Sequence, residues 1–297
     1  MKNRYFKIIL FLVLLVCGGF FYYGYNYYLV TPDSFICPKT PVMQFLQNNI
    51  GWHRLTSYKE NLENSSSSWL SNKSDIWSLQ NIRGYEIIKA KRYQVLENYF
   101  RGTDFDHKTF NTLGVKYFVQ GKNDPENTKL SSINSLFLVY NDESINIYEN
   151  KEVMPRAFVV FNVEPVKNYE QALNVFLSDS FKPEMTALIE TENPEGLLAD
   201  FDNQPAAPYQ TAEIIDYSPN RIEIITDIQM DGYLVLTDTY YPGWQAYLDG
   251  QRIEIYPTDI AFHGLFIPQG KHQVIFKYRP KFFEKLKVFW GAKPLNI

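Results

Sequence analysis

The longest apolar segment of the chain lies at the N-terminus and predicts a membrane-spanning helix. Lys2, Arg4 and Lys7 precede it, and residues 8 to 32 carry no charge. A helix of roughly 20 residues crosses the hydrocarbon core of a bilayer. The far end of the segment, FFYYGYNYY, has the aromatic content typical of a membrane–water interface. Because the positive charges come before the span, we expect a cytoplasmic N-terminus and an extracytoplasmic remainder.

Two other interpretations of this segment are disfavoured. A cleaved signal peptide would use residues 8 to 17 as its apolar region and the small residues near Gly18 as its cleavage site. Cleavage there would leave a mature chain that begins GFFYYGYNYY, which is poorly suited to water. A lipoprotein signal at Cys17 is disfavoured because the bulky Val16 stands where a small residue is needed. The pattern therefore favours an uncleaved anchor.

Helical and strand periodicities alternate between residues 33 and 150. Thr40 and Pro41 suit the start of a helix, with Val42, Phe45 and Leu46 on one face. AKRYQVLENYF predicts a second helix, and GVKYFVQ predicts a buried strand. SLFLVYNDESINIYEN predicts two strands around an Asn-Asp turn, whereas NLENSSSSWLSNKSD is a polar loop. This region predicts an α/β or α+β subdomain.

Downstream of residue 150 the period changes to that of a sheet. RAFVVFNVEPV predicts a strand, and Asn168 and Gln171 are spaced as a helix capping box. Seven short alternating segments then follow, separated by turn residues: AEIIDY, RIEIIT, GYLVLTD, WQAYLD, RIEIY, AFHGLFI and HQVIFKY. Such spacing favours an antiparallel β-sandwich.

The predicted fold class is therefore α+β, with a single N-terminal transmembrane helix, a mixed α/β subdomain and an antiparallel β-sandwich. The predicted divisions are 1–32 (cytoplasmic tip and anchor), 33–150 (mixed subdomain), 151–208 (strand–helix–strand connection), 209–280 (β-sandwich) and 281–297 (tail). The tail is charged and, at 17 residues, too short to span a bilayer.

Two turns shape the aromatic stretch TDTYYPGWQAYLDGQRIEIY. Asp249-Gly250 suits a two-residue hairpin turn because glycine accepts positive φ. Pro242-Gly243 suits a turn in which proline presets φ and glycine supplies the left-handed position.

The aromatic residues between these turns have two expected destinations. Trp244 alternates in phase with Ala246 and Leu248, so we expect it to face the core of the sandwich. Tyr240 and Tyr241 alternate in direction, so at least one is expected to face outward. An exposed tyrosine at the rim of a sandwich can stack on a sugar ring and donate its hydroxyl.

Composition and charge exclude several classes of function. The net charge of −4 and pI of about 5.7 argue against broad nucleic-acid binding. His53, His107, His263 and His272 lack metal-ligand spacing, and no phosphate-loop, dinucleotide or G-x-S-x-G motif occurs. We therefore predict no metal, no cofactor and no catalytic residue. A glycosidase built from Asp238, Asp249, Glu254 and Asp259 is disfavoured, because carboxylates in turns and on wet strand faces are usually solvated.

The C-terminal motifs resemble those of a known family. YYPGWQAYLDGQRIEIY and AFHGLFIPQGKHQVIFKYRP, with Gly270, His272 and Pro280 at characteristic positions, are similar to the C-terminal signature of bacterial YfhO-like membrane proteins. IRGYEIIKAKRYQVLENYF, LGVKYFVQ and MPRAFVV also look like landmarks of this family in the same order. The resemblance extends over residues 40–280 and is specific when the motifs are taken together.

This resemblance implies a membrane role in envelope glycosylation. Full-length members are large multi-span proteins of the lipid-linked-sugar glycosyltransferase class, connected with envelope polymers such as teichoic acids. Their catalytic carboxylate belongs to an early loop of the multi-span core, and members continue past the last strand into a further helix. This chain corresponds to the C-terminal extracytoplasmic domain with one span. Asp33 leads into that domain, so we expect a solvated carboxylate there.

Three hypotheses follow from the resemblance and the residues. The leading one is a non-catalytic, membrane-anchored extracytoplasmic domain that is accessory to lipid-linked-sugar glycosyl transfer or envelope polymer glycosylation. The alternatives are an independent carbohydrate-binding module and a subunit of a split membrane glycosyltransferase. The expected partners are the lipid bilayer and either an envelope glycan or a multi-span membrane protein. The candidate glycan contacts are Tyr240, Tyr241, Tyr247 and Tyr256.

Overall fold

The computed structural model describes residues 2–27, 40–57, 77–83, 90–102, 105–122, 130–193 and 207–280. The Ser-rich loop, Asp33, Cys37, residues 194–206 of the predicted 151–208 connection and the 281–297 tail lie outside the described residues. The chain divides into two compact units, Met1–Gln44 and Phe45–Ile297.

One long helix occupies most of the first unit. This helix, α1, comprises Lys2–Tyr27, and the apolar side chains of residues 8–16 are exposed along it. A helix thus forms where the apolar run predicts one. Among the helices in the described part of the chain, none combines the length and apolar character needed to cross a bilayer. The membrane crossing therefore stays a prediction.

Four shorter α-helices follow α1 in the described part of the chain. They are α2 (Pro41–Asn49), α3 (Lys91–Gly102), α4 (His107–Thr112) and α5 (Tyr169–Leu177). Side-chain caps start two of them, because Asp106 Oδ1 accepts from Lys108 N and Asn168 Oδ1 accepts from Gln171 N. A 3₁₀ turn lies at Leu130–Ser132.

The first sheet has four strands. They are β1 (Arg54–Ser57), β2 (Val115–Gly121), β3 (Leu136–Asn141) and β4 (Ile145–Asn150), in the order β1-β2-β4-β3. β1 runs parallel to β2, and the other two pairs are antiparallel. Asp142 stabilises the turn between β3 and β4, since its Oδ1 accepts from the backbone N–H groups of Ser144 and Ile145.

The second sheet has seven strands and includes elements from both sides of residue 209. Its members are β5 (Ala157–Val160), β6 (Asn162–Val166), β7 (Thr186–Glu190), β8 (Gln210–Thr211), β11 (Gly232–Leu236), β14 (Tyr256–Thr258) and β15 (Phe262–Ile267). The order is β6-β7-β14-β15-β11-β5-β8, and β6 and β7 pair in parallel.

The third sheet has five antiparallel strands. They are β9 (Glu213–Ser218), β10 (Arg221–Ile228), β12 (Trp244–Leu248), β13 (Gln251–Ile253) and β16 (Gly270–Tyr278), in the order β13-β12-β16-β10-β9. The longest pairing, between β10 and β16, runs from Arg221↔Lys277 to Ile228↔Gly270.

Alternation along the central strands of the seven-stranded sheet places a core on each of its faces. Leu234 and Leu236 of β11 join one hydrophobic cluster with Phe276 of the five-stranded sheet. Tyr233 and Val235 join a second cluster that includes side chains of the helices and of the four-stranded sheet. The seven-stranded sheet is therefore a middle layer buried on both sides. The predicted α+β class with antiparallel sheets is confirmed.

Candidate functional site

The loop that carries Tyr240 and Tyr241 joins the two sheets of the sandwich. We name residues 237–243, which connect β11 to β12, the tyrosine loop. The Tyr240 backbone N–H donates to the Ala261 carbonyl at 2.6 Å. The Tyr240 side chain is half-buried, whereas Tyr241 is 49% exposed. The loop thus has one anchored and one outward-facing tyrosine.

Two arginines hold the base of the tyrosine loop by binding Asp238. Arg156 is almost fully buried, and its Nη2 contacts Asp238 Oδ1. Arg54 Nη2 lies 3.1 Å from the same oxygen and also donates to the Thr237 carbonyl at 2.7 Å. The Tyr217 hydroxyl donates to the other carboxylate oxygen at 2.6 Å. These contacts connect β1, the residue directly before β5, and β9 to the loop.

Arg54 and Arg156 also make hydrogen bonds that do not involve Asp238. Arg156 Nη1 donates to the Trp52 carbonyl at 3.1 Å and to the Gln80 side chain. Arg54 Nη1 donates to the Leu113 carbonyl at 2.7 Å. Buried guanidinium groups need such partners, since leaving their donors unpaired costs free energy. The cluster is therefore a structural support for the tyrosine loop.

The charges of this cluster shift the pKa values of its members. Burial acts to raise the pKa of Asp238, but Arg156 and Arg54 outweigh it and hold that pKa at about 2. Burial and the repulsion of Arg156 lower the pKa of Arg54 to about 10. Asp238 is thus ionised throughout the physiological range. The expectation that this carboxylate is solvated is wrong, because its side chain is only 12% exposed.

A second arginine contact joins the tyrosine loop to α3 and β7. Arg92 of α3 binds Glu190, at the end of β7, through two hydrogen bonds of 2.7 Å. The Arg92 guanidinium carbon lies 5.7 Å from the centroid of the Tyr240 ring and 5.5 Å from that of Tyr169. Both members of the ion pair are about one-fifth exposed, at 21% and 22%. Planar polar groups and aromatic rings therefore converge beside Tyr240.

The far end of the tyrosine loop packs against the end of β16. Gly243 has φ +113°, and a Cβ at this position would lie 2.9 Å from a ring carbon of Tyr278. The Gly243 carbonyl accepts from Arg279 N at 2.7 Å, and Pro280 lies against the same glycine. A side chain at residue 243 would be strained in both space and backbone conformation. This contact brings the Pro-Gly and Tyr-x-Pro parts of the motif together in the fold.

The Asp249-Gly250 motif forms the hairpin between β12 and β13. Asp249 has φ +48° and Gly250 has φ +83°, which are values for a two-residue I′-type turn. The Asp249 carboxylate contacts His272 Nδ1 at 2.7 Å and accepts from Gln273 N at 2.9 Å. The hydrogen bond between Asp249 and His272 raises the pKa of His272. Gly270 begins β16 at φ +121°, two residues before His272.

Trp244 and Tyr247 face opposite sides of the five-stranded sheet. Trp244 is half-buried and packs against the sandwich core in phase with the fully buried Ala246. Tyr247 lies on the other face, where its hydroxyl donates to Gln245 and Lys277 lies 5.5 Å from its ring centroid. The outward face of this sheet is thus separate from the tyrosine loop.

Tyr256 belongs to yet another surface. It is in β14 of the seven-stranded sheet, where its hydroxyl donates to Glu254 at 3.0 Å and its ring contacts Phe266. The four predicted glycan contacts therefore do not form one platform. Tyr240 and Tyr241 are adjacent in one loop, and Tyr247 and Tyr256 lie on different sheets.

The charged residues around the tyrosine loop were not predicted as site residues. Arg92 and Glu190 are 98 residues apart, and Arg54 and Asp238 are 184 apart. No local pattern carries such pairings, because each residue is placed by a different strand or helix. Within the described ranges, no group of three or more His, Cys, Asp or Glu side chains could hold a metal ion.

The part of the chain that contains the tyrosine loop matches a known protein family. Residues 205–287 match the family described as "Bacterial membrane protein YfhO". This C-terminal segment is thus similar to the YfhO family, as its motifs predicted. The matched segment contains the tyrosine loop and both glycine turns. The upstream landmarks lie outside it and stay predictions.

One solved structure is also similar to part of the chain. It is the single-particle cryo-EM structure of arabinofuranosyltransferase AftD from Mycobacteria, at 17% sequence identity with a TM-score of 0.23. The similarity covers 32% of this chain and 8% of that one. No curated protein matches the chain.

Proposed function

We propose that this chain is a membrane-anchored extracytoplasmic domain that presents the tyrosine loop to an envelope glycan. In this role it is not catalytic itself and positions a glycan acceptor for a lipid-linked-sugar glycosyltransferase of the YfhO-like class. The observation that carries the proposal is the YfhO match, because it encloses the loop in which Tyr240 lies beside the Arg92–Glu190 pair and Tyr241 is exposed.

The chemistry of the tyrosine loop suits a sugar ring. Tyr241 is exposed enough to stack on the apolar face of a pyranose, and its hydroxyl remains available to the ring substituents. Arg92 and Glu190 keep part of their surface open beside Tyr240, so their donors and acceptors can reach neighbouring hydroxyl groups. The Arg54–Arg156–Asp238 cluster keeps the base of the loop rigid, which reduces the entropy lost on binding.

The proposal includes a bilayer as the environment of α1. Nine consecutive apolar side chains, residues 8–16, are exposed along this helix. Removing a large apolar side chain from water contributes about 1.5–3 kcal/mol, so lipid would stabilise this arrangement strongly. The test is extraction of bacterial membranes with alkaline carbonate. The full chain should stay in the pellet and a chain lacking residues 2–27 should not, whereas release of the full chain would contradict the anchor.

The glycan role is tested by binding of the full chain in mild detergent to an array of envelope glycans that includes teichoic acids. We expect retention on at least one glycan and a loss of at least tenfold in affinity for Tyr241→Ala. Tyr247→Ala is the matched control, because it removes a tyrosine from a different face of the protein. Equal binding by Tyr241→Ala and the wild type would refute the site, and no binding to any glycan would refute the role.

A further inference from the structure

A strained turn supports the tyrosine loop through contacts separate from those of the arginine cluster. This turn, residues 258–261, connects β14 to β15. Asp259 has φ +44° and Ile260 has φ +78°. Positive φ is an outlier for a β-branched residue, and such strain persists only where surrounding contacts impose it.

Two carbonyl groups of the turn are directed at the proposed glycan site. The Ile260 carbonyl accepts from Arg92 Nη1 at 3.2 Å. The next carbonyl, that of Ala261, accepts the Tyr240 backbone N–H at 2.6 Å. The conformation of the turn therefore fixes the positions of both Arg92 and Tyr240.

Asp259 also connects the turn to the strand that carries Glu190. Its Oδ1 accepts from Leu188 N at 2.8 Å, and its own N–H donates to the Leu188 carbonyl at 2.9 Å. Leu188 lies two residues before Glu190 in β7. A single buried carboxyl group thus fixes the backbone next to three groups of the site.

The second oxygen of Asp259 determines how this connection responds to ionisation. Oδ2 is buried and has no hydrogen-bond partner among the described residues. The titratable neighbour on β11 is the Tyr233 phenol, whose own pKa is raised by burial. Arg92 and Glu190, on the adjoining α3 and β7, are hydrogen-bonded to each other. Burial raises the pKa of Asp259 to about 7, although its bond to Leu188 opposes this shift.

We propose that the protonated form of Asp259 positions Arg92, Glu190 and Tyr240, so that glycan binding weakens when this carboxyl group ionises. The inference rests on the proposed function of the tyrosine loop. A buried carboxylate without a cation is unstable, so ionisation shifts the turn toward conformations that solvate the charge. Asp259 is a positioning residue, since its side chain contacts the backbone of β7 and acts on the site through the turn.

The test compares the wild type with Asp259→Asn in the full chain. Asparagine tolerates positive φ, and its side-chain oxygen can still accept the Leu188 N–H. The probe is a de-alanylated teichoic acid, whose phosphodiesters do not titrate near neutral pH. We expect the wild-type Kd to rise about tenfold between pH 6 and pH 8, because the protonated fraction of Asp259 falls about tenfold across this interval. The variant should keep the low-pH affinity throughout. An equal pH dependence in both proteins would overturn the proposal.

Hydrogen exchange gives a measurement that does not depend on the glycan. After correction for the intrinsic rate, the Tyr240 amide should lose protection in the wild type as the pH rises through about 7, because its acceptor belongs to the turn. Asp259→Asn should keep this protection, and Asp216→Asn, at an exposed carboxylate, should behave like the wild type. Unchanged protection in the wild type would overturn the role of Asp259. Absence of glycan binding alongside the expected exchange would refute only the proposed function.

Discussion

Replacing Asp238 by asparagine tests the claim that a buried charge cluster supports the tyrosine loop. The carboxylate is bound by Arg54, Arg156 and Tyr217 and is 12% exposed. Asparagine keeps the shape of the side chain and removes its charge. The variant would therefore leave two buried guanidinium groups without their shared counter-ion.

The expected loss of stability follows from two independent estimates. The pKa of Asp238 is lowered from 3.8 to about 2. At about 1.4 kcal/mol per pKa unit this shift corresponds to roughly 2 kcal/mol at neutral pH. Breaking a buried ion pair by removing one partner costs about 3–5 kcal/mol. We therefore expect Asp238→Asn to lower the free energy of unfolding by about 2–5 kcal/mol.

The assay is urea unfolding of the full chain in mild detergent, followed by tryptophan fluorescence. A loss of this size should move the midpoint of unfolding to lower urea by about 1 M or more. The matched control is Asp216→Asn, because Asp216 pairs with Arg221 on the surface and is 52% exposed. Such exposed pairs contribute about 0–1 kcal/mol. A change for Asp238→Asn as small as that of the control would refute the reasoning.

The same cluster predicts an acid response with a definite sign. The pKa of Asp238 is depressed in the folded state, so its contribution to stability is present above pH 3.8 and is lost as the pH falls toward 2. Wild-type stability should therefore fall across this interval by more than that of Asp238→Asn. Parallel curves for the two proteins would contradict the assigned pKa.

Three further changes have expected outcomes. Gly243→Ala should cost about 1–3 kcal/mol of unfolding free energy and more than Gly250→Ala, since both glycines have positive φ but only at residue 243 would a Cβ meet a ring carbon at 2.9 Å; equal costs would contradict this contact. Asp249→Asn should lower the pKa of His272 in an NMR titration, because the hydrogen bond with Asp249 raises that pKa. The same hydrogen bond contributes stability that is lost as the pH rises through the raised pKa of His272. An unchanged His272 pKa in the variant would refute the pairing. Burial raises the pKa of Asp259 from 3.8 to about 7, so the free energy of unfolding of the wild type should decrease by about 4 kcal/mol as the pH rises from roughly 4 to 7. Urea unfolding at several pH values should show no such decrease for Asp259→Asn; the same decrease in the variant would contradict the assigned pKa.

Local sequence patterns predicted the parts of the fold that depend on neighbouring residues. The capping residues of α5 make the expected contact, since Asn168 Oδ1 accepts from Gln171 N at 2.9 Å. Alternation in β12 places Ala246 inside and Tyr247 outside, as a period of two requires. The positive φ of Asp249 likewise follows from the residues of its turn. Each of these features is determined within a few residues of the chain.

The surroundings of the candidate site could not be predicted in the same way. Asp238 and Asp259 were expected to be solvated, because carboxylates in turns usually are. Asp238 is largely shielded from solvent since Arg54 of β1 and Arg156, just before β5, both bind it. Asp259 is buried since β7 pairs beside its turn. The pairing of Arg92 with Glu190 likewise depends on how α3 and β7 pack. These long-range contacts follow from the order of strands in the sheets, which a single sequence does not reveal.

The central claim, that the tyrosine loop binds an envelope glycan, is tested most directly by oxidative footprinting of the full chain with and without a bound teichoic acid. The account predicts that the glycan protects Tyr241, and to a lesser extent the half-buried Tyr240, from modification. Tyr247 should be modified equally in both states, because it lies on another face of the protein. Protection of Tyr247 with no change at Tyr241, under conditions in which the glycan is bound, would contradict the account.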